Sequence, residues 1–224
     1  MSALDEFTGG LIVSCQAPNG SPLRDPFVMS RVALAALHGG AVGLRVNGVD
    51  DISAIRPLTT VPIIGLQKVM GERRNVITTT LDAARGLRDA GADIVAIDST
   101  NEVLSDGFEF LRLVKRELGC SIMADVSTLD EGLRAWDAGV DVIGTTLSGY
   151  TPYTQPAADD PDIELVRTIA AHGIPVIAEG RYRTPMQMKA AFEAGALAVV
   201  VGGAITDPLS TTQRFAAMTP RMVE

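Results

Sequence analysis

The chain has 224 residues, 46% of them apolar, and a formal net charge of -8. That length suits one barrel domain of about 200–250 residues, and that apolar share excludes a disordered chain. The acidic balance argues against a nucleic-acid or anionic-membrane partner, which would need a basic footprint, yet it leaves room for a small anion held by one or two arginines.

At the start, Met1 to Gly10 carries Asp5 and Glu6 and has no basic n-region or apolar h-region, so residues 1–9 read as an N-terminal extension and not as a secretory signal. No apolar run approaches the roughly 18–20 residues that a membrane span needs. The two cysteines, Cys15 and Cys120, lie in strand-like segments without a zinc or redox spacing. Two buried thiols in a cytoplasmic protein are the expectation.

From residue 11 onward, short Val- and Ile-rich runs alternate with amphipathic segments. The first run, Leu11–Gln16, leads into Ala17-Pro18-Asn19-Gly20, which is not a dinucleotide-binding fingerprint. Asp25-Pro26 reads as a helix N-cap followed by Pro, and His38-Gly39-Gly40 as the stop. The runs Ala41–Val46 and Pro62–Lys68 follow, then a helical rhythm over Thr80–Ala90, a stop at Gly91 and the run Asp93–Asp98. Ser121–Val126 precedes a capping box, Thr128 to Glu131, and the stop at Gly139 precedes Asp141–Thr146. Asp160-Pro161 offers a further N-cap ahead of the helix Ile163–Ile169, and Gly173 stops it before Pro175–Gly180. A second capping box, Thr184 to Gln187, opens the helix Met186–Phe192, which Gly195 ends before Ala198–Gly203.

Eight runs, apolar over consecutive residues, are what strands buried on both faces of a parallel sheet look like. Five Gly-bearing stops just before strands mark a repeated βα unit. With no linker or composition shift, residues 1–224 form one domain, an α/β fold of the (β/α)8 (TIM barrel) class.

In such barrels the active site lies at the C-terminal ends of the strands. The polar residues at the ends of the eight runs are Gln16, Arg45 and Asn47, Lys68, Asp98, Asp125, Thr145 and Thr146, Glu179 and Arg181, and the pair Gly202-Gly203. Lys68 is either a rim lysine with its head in water or a desolvated base or Schiff-base nucleophile. Glu179 is either a partner for a cation or a proton donor and acceptor. Asp98 and Asp125 either cap the turns that follow or belong to the site. Gly180 and Gly202-Gly203 fall in the two loops where barrels often seat a phosphate. No His ends a strand, and no metal spacing or Ser-His-Asp set is present. A metal-free site with a lysine base suits proton abstraction beside a carbonyl, or Schiff-base chemistry.

The segments Leu11–Gln16, Gly39–Arg45, Met123–Thr128, Gly144–Thr154, Ile174–Arg181 and Val199–Thr206 resemble the bacterial N-acetylmannosamine-6-phosphate 2-epimerases. The likeness runs from about Gly10 to Phe215, and Gly144–Thr154 is its most specific part. It implies C2 epimerisation of an N-acylmannosamine 6-phosphate in sialic acid breakdown, a ribulose-phosphate-binding type of barrel, no cofactor and no metal, and a homodimer. It implies Lys68 and Glu179 as the catalytic pair, and Gln16, Arg45 and Asp125 around the sugar. With the phosphate loops it extends the substrate contacts to Thr145, Gly180, Arg181, Gly202 and Gly203.

Two segments depart from that family pattern. Many members carry Ile-Thr-Arg-Pro after the eighth strand, with the Arg on the phosphate; here the segment is Ile205-Thr206-Asp207-Pro208. Arg181, Arg183 or backbone amides are left to take that load. The loop Val69–Asn75 also lacks the usual Arg-Asp-Tyr-Pro. The rival readings are another phosphosugar barrel enzyme with a Schiff-base lysine, aldolase or thiazole-synthase-like, and a non-catalytic phosphosugar sensor.

Overall fold

Strands that are apolar on both faces cannot stand on a half-solvated sheet, and here they close on one another. The computed structural model describes residues 2–105, 108–155 and 159–220. The first half runs α1 (Ala3–Phe7), β1 (Leu11–Cys15), α2 (Pro26–His38), β2 (Gly43–Asn47), α3 (Val49–Ile55), β3 (Ile63–Leu66), β4 (Lys68–Met70), β5 (Asn75–Ile77), α4 (Leu81–Asp89) and β6 (Ile94–Asp98). The second runs α5 (Glu109–Leu118), β7 (Ser121–Asp125), α6 (Leu129–Asp137), β8 (Val142–Gly144), α7 (Ile163–Ala171), β9 (Val176–Ala178), α8 (Pro185–Glu193), β10 (Ala198–Val201), α9 (Gly203–Thr206) and α10 (Pro208–Ala216). Strands β1, β2, β3, β6, β7, β8, β9 and β10 pair in parallel in that order, and β10 returns to β1 to close an eight-stranded barrel. The strands β4 and β5 form a separate antiparallel hairpin over the mouth.

Local signals set the joints. Thr128 and Thr184 each make both halves of a capping box, and Asp25 accepts from the Val28 amide ahead of Pro26. The five expected stops hold glycines in the left-handed region, among them Gly91 at φ 109° and Gly195 at φ 99°. The helix α7 is capped by Asp162, not by Asp160 as the Asp-Pro signal suggested. Asp160 instead accepts from the Gln187 side chain, and its carbonyl accepts from Arg181. Cys15 is buried, but Cys120 is only half-buried. No helix among the described residues is long and apolar enough to cross a membrane.

The strand alternation divides the core. In β6, Ile94 and Ala96 join an inner cluster with Ile12, Ile64 and Val200, while Val95 and Ile97 join the layer beneath the helices. The segment read as an extension is part of this core. Ser2 caps α1, which carries Phe7, fully buried, into the inner cluster at the end opposite the mouth. Gly43 gives that ring its room: a Cβ there would lie 2.2 Å from it.

Candidate active site

Among the described residues Arg45 is the largest fully buried side chain, and a cation held out of water needs a partner of opposite charge. Asp125, at the end of β7, supplies one bidentately. The Arg45 Nη2 donates to Asp125 Oδ2 at 2.6 Å, and Nη1 donates to Oδ1 at 3.1 Å. The same Nη1 donates to Glu179 Oε2 at 2.5 Å, just past the end of β9. Gly144 makes space for this cluster, since a Cβ there would lie 2.9 Å from Asp125 Oδ1 and 2.2 Å from the Met123 methyl. Thr146 closes it, its hydroxyl donating to Asp125 Oδ1 at 2.6 Å and lying 3.3 Å from Glu179 Oε2.

The electrostatics follow from burial and from these contacts. Burial opposes the Arg45 charge, but Asp125 and Glu179 outweigh it and hold the guanidinium firmly protonated. Burial pushes Glu179 above the usual carboxylate range, with Arg45 pulling against it.

Lys68 is placed differently. The barrel strand β3 stops at Leu66, and Lys68 opens the hairpin, its backbone amide donating to Asn47 Oδ1 at 2.8 Å. Thr78 locks the hairpin base, its amide donating to the Gln67 carbonyl at 2.8 Å and its hydroxyl accepting from the Gln67 amide at 3.0 Å. As a residue Lys68 is exposed, because it stands on the rim, yet surrounding protein crowds its amine. That desolvation, followed by the nearby Arg45 charge, lowers the amine below the ordinary lysine range against the pull of Glu179 and Asp125. Among the described residues no carboxylate lies within 4.0 Å of that amine.

A cavity of about 910 Å³ opens above this floor. Lys68, Glu179, Gln16, Thr146, Gly180 and Arg181 line it, with Gly202 and Gly203 opposite. Gln16 donates to the Ser14 hydroxyl at 2.7 Å, and its buried Oε1 has no partner. Gly180, at φ 108°, and Arg181, at φ 62°, turn the chain sharply after β9. Arg181 is then engaged by protein: Nη1 donates to the Ser148 carbonyl at 2.5 Å and Nε to that of Asp160 at 2.9 Å, while the guanidinium lies over the Tyr150 ring.

The residues expected around the sugar thus fall at two depths. Gln16, Lys68, Glu179 and the glycine turns face the cavity. Arg45 and Asp125 lie beneath it, 1% and 0% exposed, and reach it through Glu179 and Thr146. Thr145 does not line the cavity. Its hydroxyl is used by the Glu179 backbone, donating to the carbonyl at 2.9 Å and accepting from the amide at 3.0 Å. Asp98 stands apart from the Arg45 cluster. It accepts from Arg74 at 2.6 and 3.2 Å and from the Thr100 hydroxyl at 2.7 Å.

Sequence reasoning missed two of these devices. Arg74, in the hairpin turn between β4 and β5, also lines the cavity. Its segment was conspicuous only as an unusual loop, and nothing local pairs it with Asp98. Glu131 was read as half of a capping box. Fully buried, it also accepts from the Ser127 amide and hydroxyl, both at 2.8 Å, from the Asn101 amide at 2.8 Å and from the Tyr153 hydroxyl, tying three loops of the mouth together. Among the described residues no group of three or more His, Cys, Asp or Glu is arranged for a metal ion.

The fold and the site have counterparts among known proteins. A family model described as "Putative N-acetylmannosamine-6-phosphate epimerase" matches residues 29–220. A relative from Clostridioides difficile, named "Putative N-acetylmannosamine-6-phosphate 2-epimerase", is 44% identical over 216 residues, covering 95% of this chain and 96% of the relative. One of the same name from Caldanaerobacter subterraneus is 46% identical over 221 residues, covering 96% and 93%. Among solved structures, the N-acetylmannosamine-6-phosphate 2-epimerase from Clostridium perfringens superposes with a TM-score of 0.90 at 39% identity, covering 98% of this chain and 97% of that one. The thiamine phosphate pyrophosphorylase from Pyrococcus furiosus superposes at 0.64 and 17% identity, covering 94% and 92%, which is a likeness of fold.

Proposed function

The chain belongs to the N-acetylmannosamine-6-phosphate epimerase family, and from that premise we propose that it inverts C2 of an N-acylmannosamine 6-phosphate with Lys68 as the base and Glu179 as its partner. It is a carbohydrate epimerase.

The C2 proton becomes removable once the sugar opens, because C2 then lies beside the C1 aldehyde. Lys68 takes that proton as a neutral amine, leaving an enolate. The Lys68 ammonium so formed delivers a proton to the opposite face of C2, which gives the N-acylglucosamine 6-phosphate and restores the neutral amine. The single observation that carries this is the contrast of partners: Glu179 is tied to Arg45 at 2.5 Å, while the Lys68 amine shares its cavity and, among the described residues, has no carboxylate within 4.0 Å. An amine left unpaired, with its pKa lowered by desolvation, is the candidate base of the cavity. Glu179, held with its carboxyl raised by burial, serves proton transfer at the sugar oxygens. Arg45 and Asp125 hold Glu179 in place, and Thr145 fixes its backbone. The Gln16 Oε1 without a partner is an acceptor for a sugar hydroxyl or the acetamide N–H.

A positioned base supplies about 10²–10⁴-fold, the rest coming from orientation and enolate stabilisation. The test is Lys68→Ala in deuterated buffer, with exchange at C2 followed by proton NMR. Exchange should fall with turnover by a factor in that range. Exchange at the wild-type rate would remove Lys68 from the mechanism.

A further inference from the structure

In a chain of net charge -8, the described residues that line this cavity include five cations, Lys68, Arg74, Arg181, Arg183 and Arg214, against the single carboxylate of Glu179. Local positive charge on an acidic background concentrates an anion where it is needed. These cations are not equally free. Arg74 is spent on Asp98 and Glu102, and Arg181 on two carbonyls and the Tyr150 ring. Lys68 has the role given above. Two remain. Among the described residues, the Arg183 side chain makes no hydrogen bond or ion pair, and Arg214 makes only a bond from Nη2 to the Thr211 hydroxyl at 3.1 Å.

Their positions are set by rigid elements. Arg183 follows the left-handed turn at Gly180 and Arg181, and its amide is held at 2.8 Å by the Gln187 side chain that caps α8. Arg214 lies on α10 with Ser210, Gln213 and Ala217 in one stripe at helical spacing, and that stripe is a wall of the cavity. Gly202 and Gly203 lie on the same cavity.

The residue in the loop after β10 cannot do this work. Asp207 Oδ1 accepts from the Ser210 amide at 3.1 Å and Oδ2 from the Ser210 hydroxyl, so the carboxylate caps α10. These bonds hold it below the usual carboxylate range and therefore charged. It lines a neighbouring cavity of about 550 Å³, not the one that Arg183 and Arg214 share.

We propose that Arg214 on α10 and Arg183 after β9 form the side-chain clamp for the substrate's phosphate, beside the Gly202-Gly203 turn on the same cavity. The proposal rests on the phosphosugar reading above. A guanidinium without a carboxylate, on the wall of a cavity, has its donors open for a phosphate, and bidentate geometry favours Arg over Lys there.

The test compares Arg183→Ala, Arg214→Ala and Arg214→Lys with Arg167→Ala, which makes the same charge change on α7 at a residue paired with Glu164 away from the cavity. Both sites are on the surface, so folding should survive; a thermal melt checks it. With N-acetylmannosamine 6-phosphate, kcat/KM should fall about tenfold to a hundredfold in each alanine variant of the clamp and partly recover in Arg214→Lys. Any turnover of unphosphorylated N-acetylmannosamine should change less than about twofold. Calorimetry with inorganic phosphate gives an independent reading: affinity should drop in both clamp variants and stay in Arg167→Ala. Phosphate affinity and kcat/KM unchanged in both clamp variants would overturn the clamp. If the wild type binds phosphate through these arginines yet turns over no phosphosugar, the functional reading fails and the clamp stands.

Discussion

The floor of the mouth and its wall obey opposite rules. In the floor, Arg45, Asp125, Glu179 and Thr146 bond mainly to one another, within 2.5 to 3.4 Å. In the wall, among the described residues, the Lys68 amine and the guanidiniums of Arg183 and Arg214 have no carboxylate of their own, and the Gln16 Oε1 has no donor. Buried charge is tolerable only when paired, so the fold itself pairs the charges of the floor, although the Arg45 Nε is left without a partner. Groups on the wall are bathed by the cavity, and their unused donors and acceptors are what a ligand can satisfy. Pairing therefore separates Arg45 and Asp125, which hold the site, from Lys68, Gln16, Arg183 and Arg214, which are left open to a ligand; Glu179 belongs to both sets, since it pairs with Arg45 and lines the cavity.

The largest expected effect breaks the floor. Asp125→Ala leaves Arg45 buried with Glu179 as its only carboxylate, and removing one partner of such a pair costs about 3–5 kcal/mol. Urea denaturation should show that loss, with activity falling alongside. A variant as stable as the wild type would mean that the floor is not held by this pair.

Lys68→Ala sharpens the contrast from the other side. Its activity loss should be about 10²–10⁴-fold, but stability should stay within about 0.5 kcal/mol of wild type, because among the described residues the amine makes no hydrogen bond or ion pair. Equal damage to both quantities would make Lys68 a structural residue.

The sequence reveals these two regions unequally. The barrel is legible because its signals are local: Val-Ile runs, capping boxes and glycines such as Gly91 and Gly139 that must take positive φ. The floor is legible only through the rule that strand ends converge, since Arg45 lies 80 residues from Asp125 and 134 from Glu179. What that rule cannot supply is direction. Strand β8 ends at Gly144, so no alternation decides that Thr145 turns to the Glu179 backbone while Thr146 turns to the cavity. Likewise, the closure of Arg74 on Asp98 depends on the hairpin of β4 and β5, and the role of Phe7 depends on space left by Gly43. Neither dependence is encoded within one segment.

Between floor and wall, charge is the coupling. Glu179 favours the ammonium form of Lys68, whereas desolvation and Arg45 favour the neutral amine. In Glu179→Gln the stabilising carboxylate is gone, so the lysine loses its proton at lower pH than before. The acid limb of kcat/KM, where the neutral amine is titrated away, should then move to lower pH on top of a reduced maximum. A limb that moves upward, or stays still, would separate the two groups.

The smallest effect concerns Asp207, where stability and binding should change in opposite senses. Its carboxylate caps α10 through the Ser210 amide, and losing such a cap costs about 1 kcal/mol, roughly 2–4 °C in melting temperature for a chain of this size. The same carboxylate acts on Arg214 from a distance, competing weakly with an incoming phosphate. Asp207→Ala should therefore melt lower yet bind the phosphosugar better, with KM reduced by about twofold, as expected for the removal of an exposed, screened charge. A rise in KM would show that Asp207 itself touches the substrate, and the phosphate would then have to be sought beside the smaller cavity that this residue lines.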